Sequence, residues 1–244
     1  MSEVLFVGTG DAFNSGGRRN SAILVRERGR TLLLDCGPTT LAGLSELGVD
    51  PLEIDAIALS HFHGDHIAGV PFLLLDYQYQ HPRDRPLSIL GPPGVADSMA
   101  ALTRAYGYHV EQQDRYALHF AEFSIDKPTE VAGFRVTPMP ALHQEHTCPH
   151  MVRVDAERRS LVFSGDTGWH DELPKKVGDV DLFISECVFF DTEVAFHLSH
   201  QRLDRERARF ECGAIRLTHL GHQVLSNESQ VRFDTAHDGL RLIL

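Results

Sequence analysis

Ser60-His61-Phe62-His63-Gly64-Asp65-His66 is the stretch on which the reading of this chain turns. Four good metal ligands fall within six residues, as His61-x-His63-x-Asp65-His66. Zinc accepts nitrogen from His and oxygen from Asp, and a catalytic zinc keeps one position open for water. The side chains fan out, so one ion takes the His61/His63 pair and a second takes Asp65/His66. Each ion then needs more ligands from elsewhere in the chain. The apolar run Ile54 to Leu59 just upstream reads as a buried strand, and Gly64 breaks the cluster. The ligands therefore belong on a loop at a strand end, with Asp65 and His66 where the next helix begins. Loops held by a rigid scaffold are where layered α/β folds place their active sites.

Working outward, strands are expected at Val4 to Val7, and at Ser21 to Val25 and Thr31 to Asp35 as a hairpin around Arg28-Gly29. A helix is expected at Thr40 to Leu47, stopped by Gly48. Downstream come a strand at Leu87 to Leu90 and a helix at Val95 to Tyr106. Further strands are read near His119 to Ser124, Phe134 to Met139, Met151 to Val154, Leu161 to Ser164 and Leu182 to Ser185. A helix at Leu203 to Cys212 follows, then strands at Ile215 to Thr218 and Leu240 to Leu244. Two batches of strands with helices interspersed predict two mixed sheets with helices outside. No linker rich in Pro, Gly or Ser divides the 244 residues, so a single domain over 1–244 is expected.

The net charge of −11, with no run of Lys or Arg, argues against a sequence-independent nucleic-acid binder, which uses a basic face to neutralise phosphates. The Arg202 to Arg209 stretch is interrupted by Asp204 and Glu206 and reads as a solvated helix face. The four cysteines form no CxxC pair, and the start of the chain runs straight into a strand pattern, so no signal peptide is expected. Four free thiols in a reducing cytoplasm are expected. The apolar run at Val70 to Leu75 is far too short to span a bilayer. The Tyr- and Gln-rich segment from Leu75 to Pro86 shapes either a pocket or a homodimer contact.

With these residues in place, the sequence resembles the metallo-β-lactamase superfamily, and within it the ribonuclease Z-type phosphodiesterases. Phe6-Val7-Gly8-Thr9-Gly10 with Arg19-Asn20-Ser21 is similar to that branch's N-terminal signature, and Leu34-Asp35-Cys36-Gly37 to its next segment. Gly69-Val70-Pro71 and Arg85-Pro86-Leu87-Ser88-Ile89-Leu90-Gly91-Pro92 also fit. The resemblance implies a four-layer αββα sandwich with a two-metal site at one edge of its sheets. It implies His61, His63, His143 and Asp166 around one ion, with His146 as a competitor of His143. It implies Asp65, His66, Asp166 and His219 around the other, Asp166 bridging the two. The cofactor implied is two zinc ions, with Mn or Fe as alternatives. The same branch carries a catalytic His supported by a Glu; His197 and Glu186 match them. An imidazole held by a carboxylate is a good general acid for an alkoxide leaving group. Cleavage by water activated between the metals, with Asp65, His197 and Glu186 as the catalytic side chains, is the expected chemistry.

Departures from the branch narrow the substrate. Ribonuclease Z inserts a long tRNA-clamping arm between the third ligand and the bridging Asp, whereas only residues 144 to 165 separate His143 from Asp166 here. The signature proline is missing near Asn14 and Gly16-Gly17. Pro38 replaces an acidic residue, and Ser185-Glu186-Cys187-Val188 is a reduced form of His-Glu-Ala-Thr. A hydrolase of small phosphodiesters such as cyclic nucleotides is therefore expected, with nucleic acid not a substrate and no membrane partner. Opening of a lactone, ester or thioester on the same metals is the competing chemistry, and tRNA 3′ processing stands behind both. His81, His109, His119, His150, His170, His222 and His237 read as histidines without a catalytic role.

Overall fold

The structure, a computed structural model, describes residues 2–108 and 115–244. The first half of the chain contributes β1 (Glu3–Gly8), β2 (Ala22–Glu27), β3 (Arg30–Leu34), α1 (Thr40–Glu46), β4 (Ala56–Ala58), α2 (Gly64–Ile67), α3 (Val70–Tyr79), β5 (Leu87–Gly91), α4 (Val95–Ala105) and β6 (Leu118–Glu122). The second contributes β7 (Thr129–Val131), β8 (Phe134–Pro140), β9 (His150–Asp155), β10 (Ser160–Phe163), α5 (Leu173–Val177), β11 (Leu182–Glu186), α6 (His200–Glu206), β12 (Ala214–Thr218), α7 (His222–Ser226), β13 (Asp234–Thr235) and β14 (Arg241–Ile243). One sheet runs β14-β1-β2-β3-β4-β5-β6 and the other β13-β12-β11-β10-β9-β8-β7. Both are mixed: β3, β4, β5 and β6 pair in parallel, as do β10, β11, β12 and β13.

The strand sequences are apolar on both faces because both faces are covered. Val4, Phe6, Ile23, Val25, Leu32 and Leu34 point between the sheets, where they meet Val152, Val154, Leu161, Phe163, Leu182 and Ile184. Their alternates Leu5, Val7, Leu24 and Leu33 face α1, α3 and α4 through Leu44, Leu73 and Met99. On the second sheet Met151, Val162 and Phe183 face α5, α6 and α7 through Leu173, Leu203 and Val224. Helix, sheet, sheet and helix thus stack in four layers, the αββα sandwich implied by the sequence. Truncating a fully buried ring such as Phe6 or Phe163 to Ala in such a core costs about 3–5 kcal/mol.

Differences from the sequence reading have local causes. The 203–212 helix begins earlier, at His200, because the Ser199 side chain caps it by accepting the Arg202 N–H at 3.1 Å. It ends in a 3-10 turn at Arg207–Arg209, and Phe210 is already extended. The strand read over 54–59 shortens to Ala56–Ala58, because Pro51–Glu53 forms a 3-10 turn just before it. Helix α3, not foreseen, has Pro71 in its first turn, where a missing N–H costs nothing. It buries Val70, Leu73, Leu74 and Tyr77, the i, i+3, i+4, i+7 stripe of a helix packed on a sheet. All four cysteines are unpaired, with Cys36 and Cys187 buried. No helix among the described residues is long and apolar enough to cross a membrane.

Candidate active site

The carboxyl ends of the parallel strands in both sheets converge on one edge, the usual location of ligand sites in sheets of this kind. Strand β4 delivers residues 59–66, and His63 stands as the N-cap of α2, which carries Asp65 and His66. Strand β10 delivers Asp166 through Gly165, which sits at φ +53 with the space for a Cβ taken by Ser60 at 2.8 Å. Only glycine satisfies both conditions. The β11–β12 register pairs Glu186 with Thr218, so Glu186 and His219 leave neighbouring strand ends. Two backbone bonds tie the sheets together here: His150 N–H to Ser60 O at 3.0 Å and Phe62 N–H to Thr147 O at 3.0 Å.

Two ligand clusters result. In the first, His61 Nε2 and His143 Nε2 each lie 3.1 Å from His63 Nδ1, and His61 Nε2 is 3.8 Å from Asp166 Oδ2. In the second, His66 Nε2 lies 3.2 Å from His219 Nε2, 3.2 Å from Asp65 Oδ2 and 3.3 Å from Asp166 Oδ1. His219 Nε2 is also 3.2 Å from Asp65 Oδ2. Asp166 presents one oxygen to each cluster. Ligand atoms on a tetrahedral zinc at about 2.0–2.1 Å stand about 3.3 Å from one another; the second cluster has this spacing throughout, whereas in the first the histidines have it and the Asp166 oxygen lies farther out, 3.8 Å from His61 and 3.9 Å from His143.

The remaining ring nitrogens are mostly held from behind. Asp35 Oδ2 accepts from His66 Nδ1 at 2.6 Å, which leaves Nε2 as the lone-pair donor. The Asp35 carboxylate also accepts the Ser60 N–H at 2.7 Å and the Ser60 hydroxyl at 2.9 Å. His61 Nδ1 meets the Ser60 hydroxyl at 3.0 Å, and His143 Nδ1 donates to Phe196 O at 2.8 Å. Such partners fix ring orientation and tautomer in metal-ligating histidines. Asp166 Oδ1 and His219 Nδ1 are buried without a hydrogen bond.

The electrostatics fit cation binding. Burial and the neighbouring His66 hold His61 neutral well below the usual histidine range. Burial likewise lowers His63 and His143. Three neutral imidazoles thus aim lone pairs at one point. In the second cluster, burial opposes the charges on His66 and His219, but Asp166 and its neighbouring carboxylates override it and raise both. Burial would raise Asp166 and Asp65, yet the adjacent imidazoles hold both carboxyls far down. In the metal-free protein, protons on His66 and His219 stand where a dication's charge would go, and metal binding releases such protons. The donor set of nitrogen and carboxylate oxygen suits a divalent metal.

Beside the clusters stands a third group, Asp166, Glu186 and His197. His197 Nδ1 meets Glu186 Oε1 at 2.9 Å and lies 4.0 Å from Asp166 Oδ2. Glu186 is fully buried and accepts two more bonds, from Thr167 N–H at 2.9 Å and Leu198 N–H at 3.2 Å. Burial disfavours charge on His197, but the Glu186 carboxylate outweighs it and lifts the imidazole to about 9. Burial raises Glu186 as well, so the pair shares one proton, carried by His197.

The structure brings together His61, His63, Asp65, His66, His143, Asp166, His219, Glu186 and His197. His146 is exposed, its ring 6.3 Å from that of His63, while His143 lies within the first cluster. His200, the neighbour of His197, is instead stacked on Phe190 with ring centroids 4.9 Å apart. His109 lies outside the described residues. Sequence reading gave no role to Asp35, Ser60 or the Phe196 carbonyl. Only Asp35 left a signal, as part of Leu34-Asp35-Cys36-Gly37.

Residues 2–235 match the model of the family described as anti-Pycsar protein Apyc1. Among relatives, the ribonuclease Z of Methanothermobacter thermautotrophicus is 31% identical over 189 residues, 73% of this chain and 60% of that protein. The chain thus spans less than two thirds of that relative's length. The ribonuclease Z of Mycobacterium marinum is 29% identical over 93% of this chain and 89% of its own. Among solved structures, the metallo-β-lactamase fold protein YhfI from Bacillus subtilis superposes with a TM-score of 0.81 at 24% identity, over 100% of both chains. With this fold, these ligand clusters and these relatives, the chain belongs to the anti-Pycsar protein Apyc1 family, within the ribonuclease Z-like hydrolases of the metallo-β-lactamase fold.

Proposed function

We propose that the chain is a single-domain phosphodiesterase that holds two metal ions, zinc in first place and Mn or Fe as alternatives, and cleaves a small phosphodiester such as a cyclic nucleotide. The observation that carries this reading is the His197–Glu186 pair set 4.0 Å from the carboxylate shared by both ligand clusters. A proton donor at that place serves an alkoxide leaving group.

His61, His63, His143 and Asp166 would hold one ion, and Asp65, His66, Asp166 and His219 the other. Bound dications supply Lewis acidity toward the phosphoryl oxygens and bring the pKa of water toward neutrality. Asp35 and the Phe196 carbonyl keep the His66 and His143 lone pairs aimed inward. Water adds to phosphorus, the bond from phosphorus to the leaving oxygen breaks, and His197 gives that oxygen its proton. Glu186 keeps the imidazole protonated near neutral pH and points it at the departing atom.

The small-substrate part of the reading is supported by residues 144–165, the interval where the arm of ribonuclease Z would stand. A 3-10 turn at Glu145–Thr147 and strands β9 and β10 take up most of it, within one sheet. The expected exclusion of nucleic acid rests on this shortness and on the net charge; relatives named ribonuclease Z lend it no support.

The test is hydrolysis of bis-p-nitrophenyl phosphate by metal-loaded protein, with a lactone and a phosphomonoester alongside, followed by a panel of 3′,5′-cyclic nucleotides. Diester cleavage well above the other two classes is expected. Lactone opening without diester cleavage, by protein carrying both metals, would reject the phosphodiesterase reading.

A further inference from the structure

His219 is the ligand of the second cluster whose support does not lie behind its ring. Nδ1 of His61, His66 and His143 each meets a partner, whereas His219 Nδ1 is buried with none among the described residues. Its backbone stands at φ +51, a left-handed conformation that residues with a Cβ seldom adopt. Such a conformation persists only where the surroundings over-determine it. Backbone contacts on either side of His219 must therefore fix its imidazole.

Those contacts come from two directions. Thr218 O accepts the Cys187 N–H at 2.9 Å, which ties the end of β12 to the chain leaving β11. Leu220 N–H donates to Thr9 O at 3.1 Å, and Gly10 forms an isolated bridge with Leu220. The first tie belongs to the sheet. The second depends on the loop after β1, and one carboxylate holds that loop. Asp238 Oδ1 accepts the Thr9 N–H at 2.9 Å and the Thr9 hydroxyl at 2.7 Å, and Oδ2 accepts the Arg19 N–H at 2.8 Å. Arg18 Nη1 donates to the Thr9 hydroxyl oxygen at 3.0 Å and to Ala236 O at 2.6 Å. Hydrogen bonds to an ionised acceptor are stronger than neutral ones. Thr9 is fully buried, so removal of the carboxylate would leave its N–H and hydroxyl unpaired and favour a shift of the loop.

We propose that Asp238 is a positioning residue for His219. It acts through Thr9, whose carbonyl fixes Leu220 and with it the left-handed turn that aims His219 Nε2 into the second cluster. The consequence is that Asp238 sets the metal affinity of the second cluster and not of the first, which draws its support from Ser60 and the Phe196 carbonyl. This consequence rests on the two-metal part of the proposed function.

The experiment reads two quantities: hydrogen exchange of backbone amides in the metal-free protein by NMR, and stepwise zinc binding in competition with a chromophoric chelator. Asp238→Ala should speed exchange at Leu220 by at least about 10-fold, while the Cys187 amide on the other side of His219 keeps its rate. It should weaken the second zinc by about 10- to 100-fold and leave the first unchanged. Asp238→Asn, whose amide oxygen still accepts from Thr9, should recover most of that loss. Thr9→Val keeps the shape and removes the hydroxyl; it should act in the same direction as Asp238→Ala and less, and it carries the test if Asp238→Ala does not fold. Unchanged exchange at Leu220 overturns the positioning role. So does equal acceleration at Leu220 and Cys187, or equal weakening of both ions, which would mean general loosening. Exchange raised at Leu220 alone with unchanged zinc affinity overturns it as well. Wild-type protein that takes up fewer than two zinc ions rejects the two-metal reading; acceleration confined to Leu220 in Asp238→Ala would then leave the positioning of His219 standing.

Discussion

The loop at 60–66 and the strap at 189–199 both carry histidines to the same edge of the sandwich, yet they are held in opposite ways. His61 and His66 on the loop are 0% exposed, and the loop's backbone is bonded into both sheets. Residues 191–196 of the strap are exposed throughout. The strap closes on itself through isolated bridges at Phe189–Ser199 and Val194–His197, and Gly168 packs against it so closely that a Cβ would stand 1.9 Å from Ala195 O. Outside, Glu193 pairs with Arg202 and Arg205 at 3.0 Å, both exposed or nearly so. A cluster that must hold a cation tolerates little displacement, so its supports are buried and redundant. The strap relies instead on one buried carboxylate, Glu186, to place His197.

That contrast can be broken or sharpened in order of expected effect. Asp166→Asn, which spoils the oxygen shared by both clusters, should reduce diester turnover by about 10³-fold or more, with loss of metal by elemental analysis. Retention of two ions and full turnover would contradict the bridging role. His197→Ala should lower kcat by about 10²- to 10⁴-fold while metal content stays at the wild-type value. Loss of metal in that variant would make His197 a ligand rather than an acid.

Asp35→Asn touches no substrate and should weaken metal binding by about 10- to 100-fold in chelator competition. Unchanged affinity would mean that the backbone bonds of Ser60 to His150 and of Phe62 to Thr147 suffice to fix the loop. The pH profile tests the strap's dependence on Glu186. His197 is raised to about 9, so its acid form is present below that pH and is lost as pH rises through it. Bound dications near Asp166 lower the imidazole from that value, so activity of the metal-loaded protein should fall along a limb below it, and Glu186→Gln should move that limb further down by about 1–3 pH units because the charge that raised the imidazole is gone. An unmoved limb would assign it to another group. Glu193→Ala, at the exposed end of the strap, should change unfolding free energy by less than about 1 kcal/mol, as exposed ion pairs do. A larger loss in denaturant titration would show that the strap is held from its surface after all.

Legibility in the sequence followed contact range. The 60–66 cluster could be read because its four ligands are neighbours in the chain and end an apolar strand. The strands were legible for the same reason, since burial on both faces leaves unbroken apolar runs at Val4 to Val7 or Ile23 to Val25. Helix α3 was missed because its stripe at Val70, Leu73, Leu74 and Tyr77 lies within a segment apolar nearly all round at its start, where helical periodicity is weak. His143, Asp166, Glu186, His197 and His219 carry no local pattern of their own, and resemblance to a family placed them.

By itself the sequence determined the two-sheet architecture, the paired His/Asp ligands of residues 61–66 and the absence of any room for a long arm between His143 and Asp166. These are properties of periodicity, spacing and length along one stretch of chain. Only the tertiary structure decided that Asp166 offers one oxygen to each cluster, that Asp35 stands behind His66, and that the Phe196 carbonyl holds His143. Those relations link residues from 31 to more than 100 positions apart, such as His66 with Asp35 and His61 with Asp166. They exist only because parallel strands from two sheets end at the same edge, and no pattern within a single segment encodes that convergence.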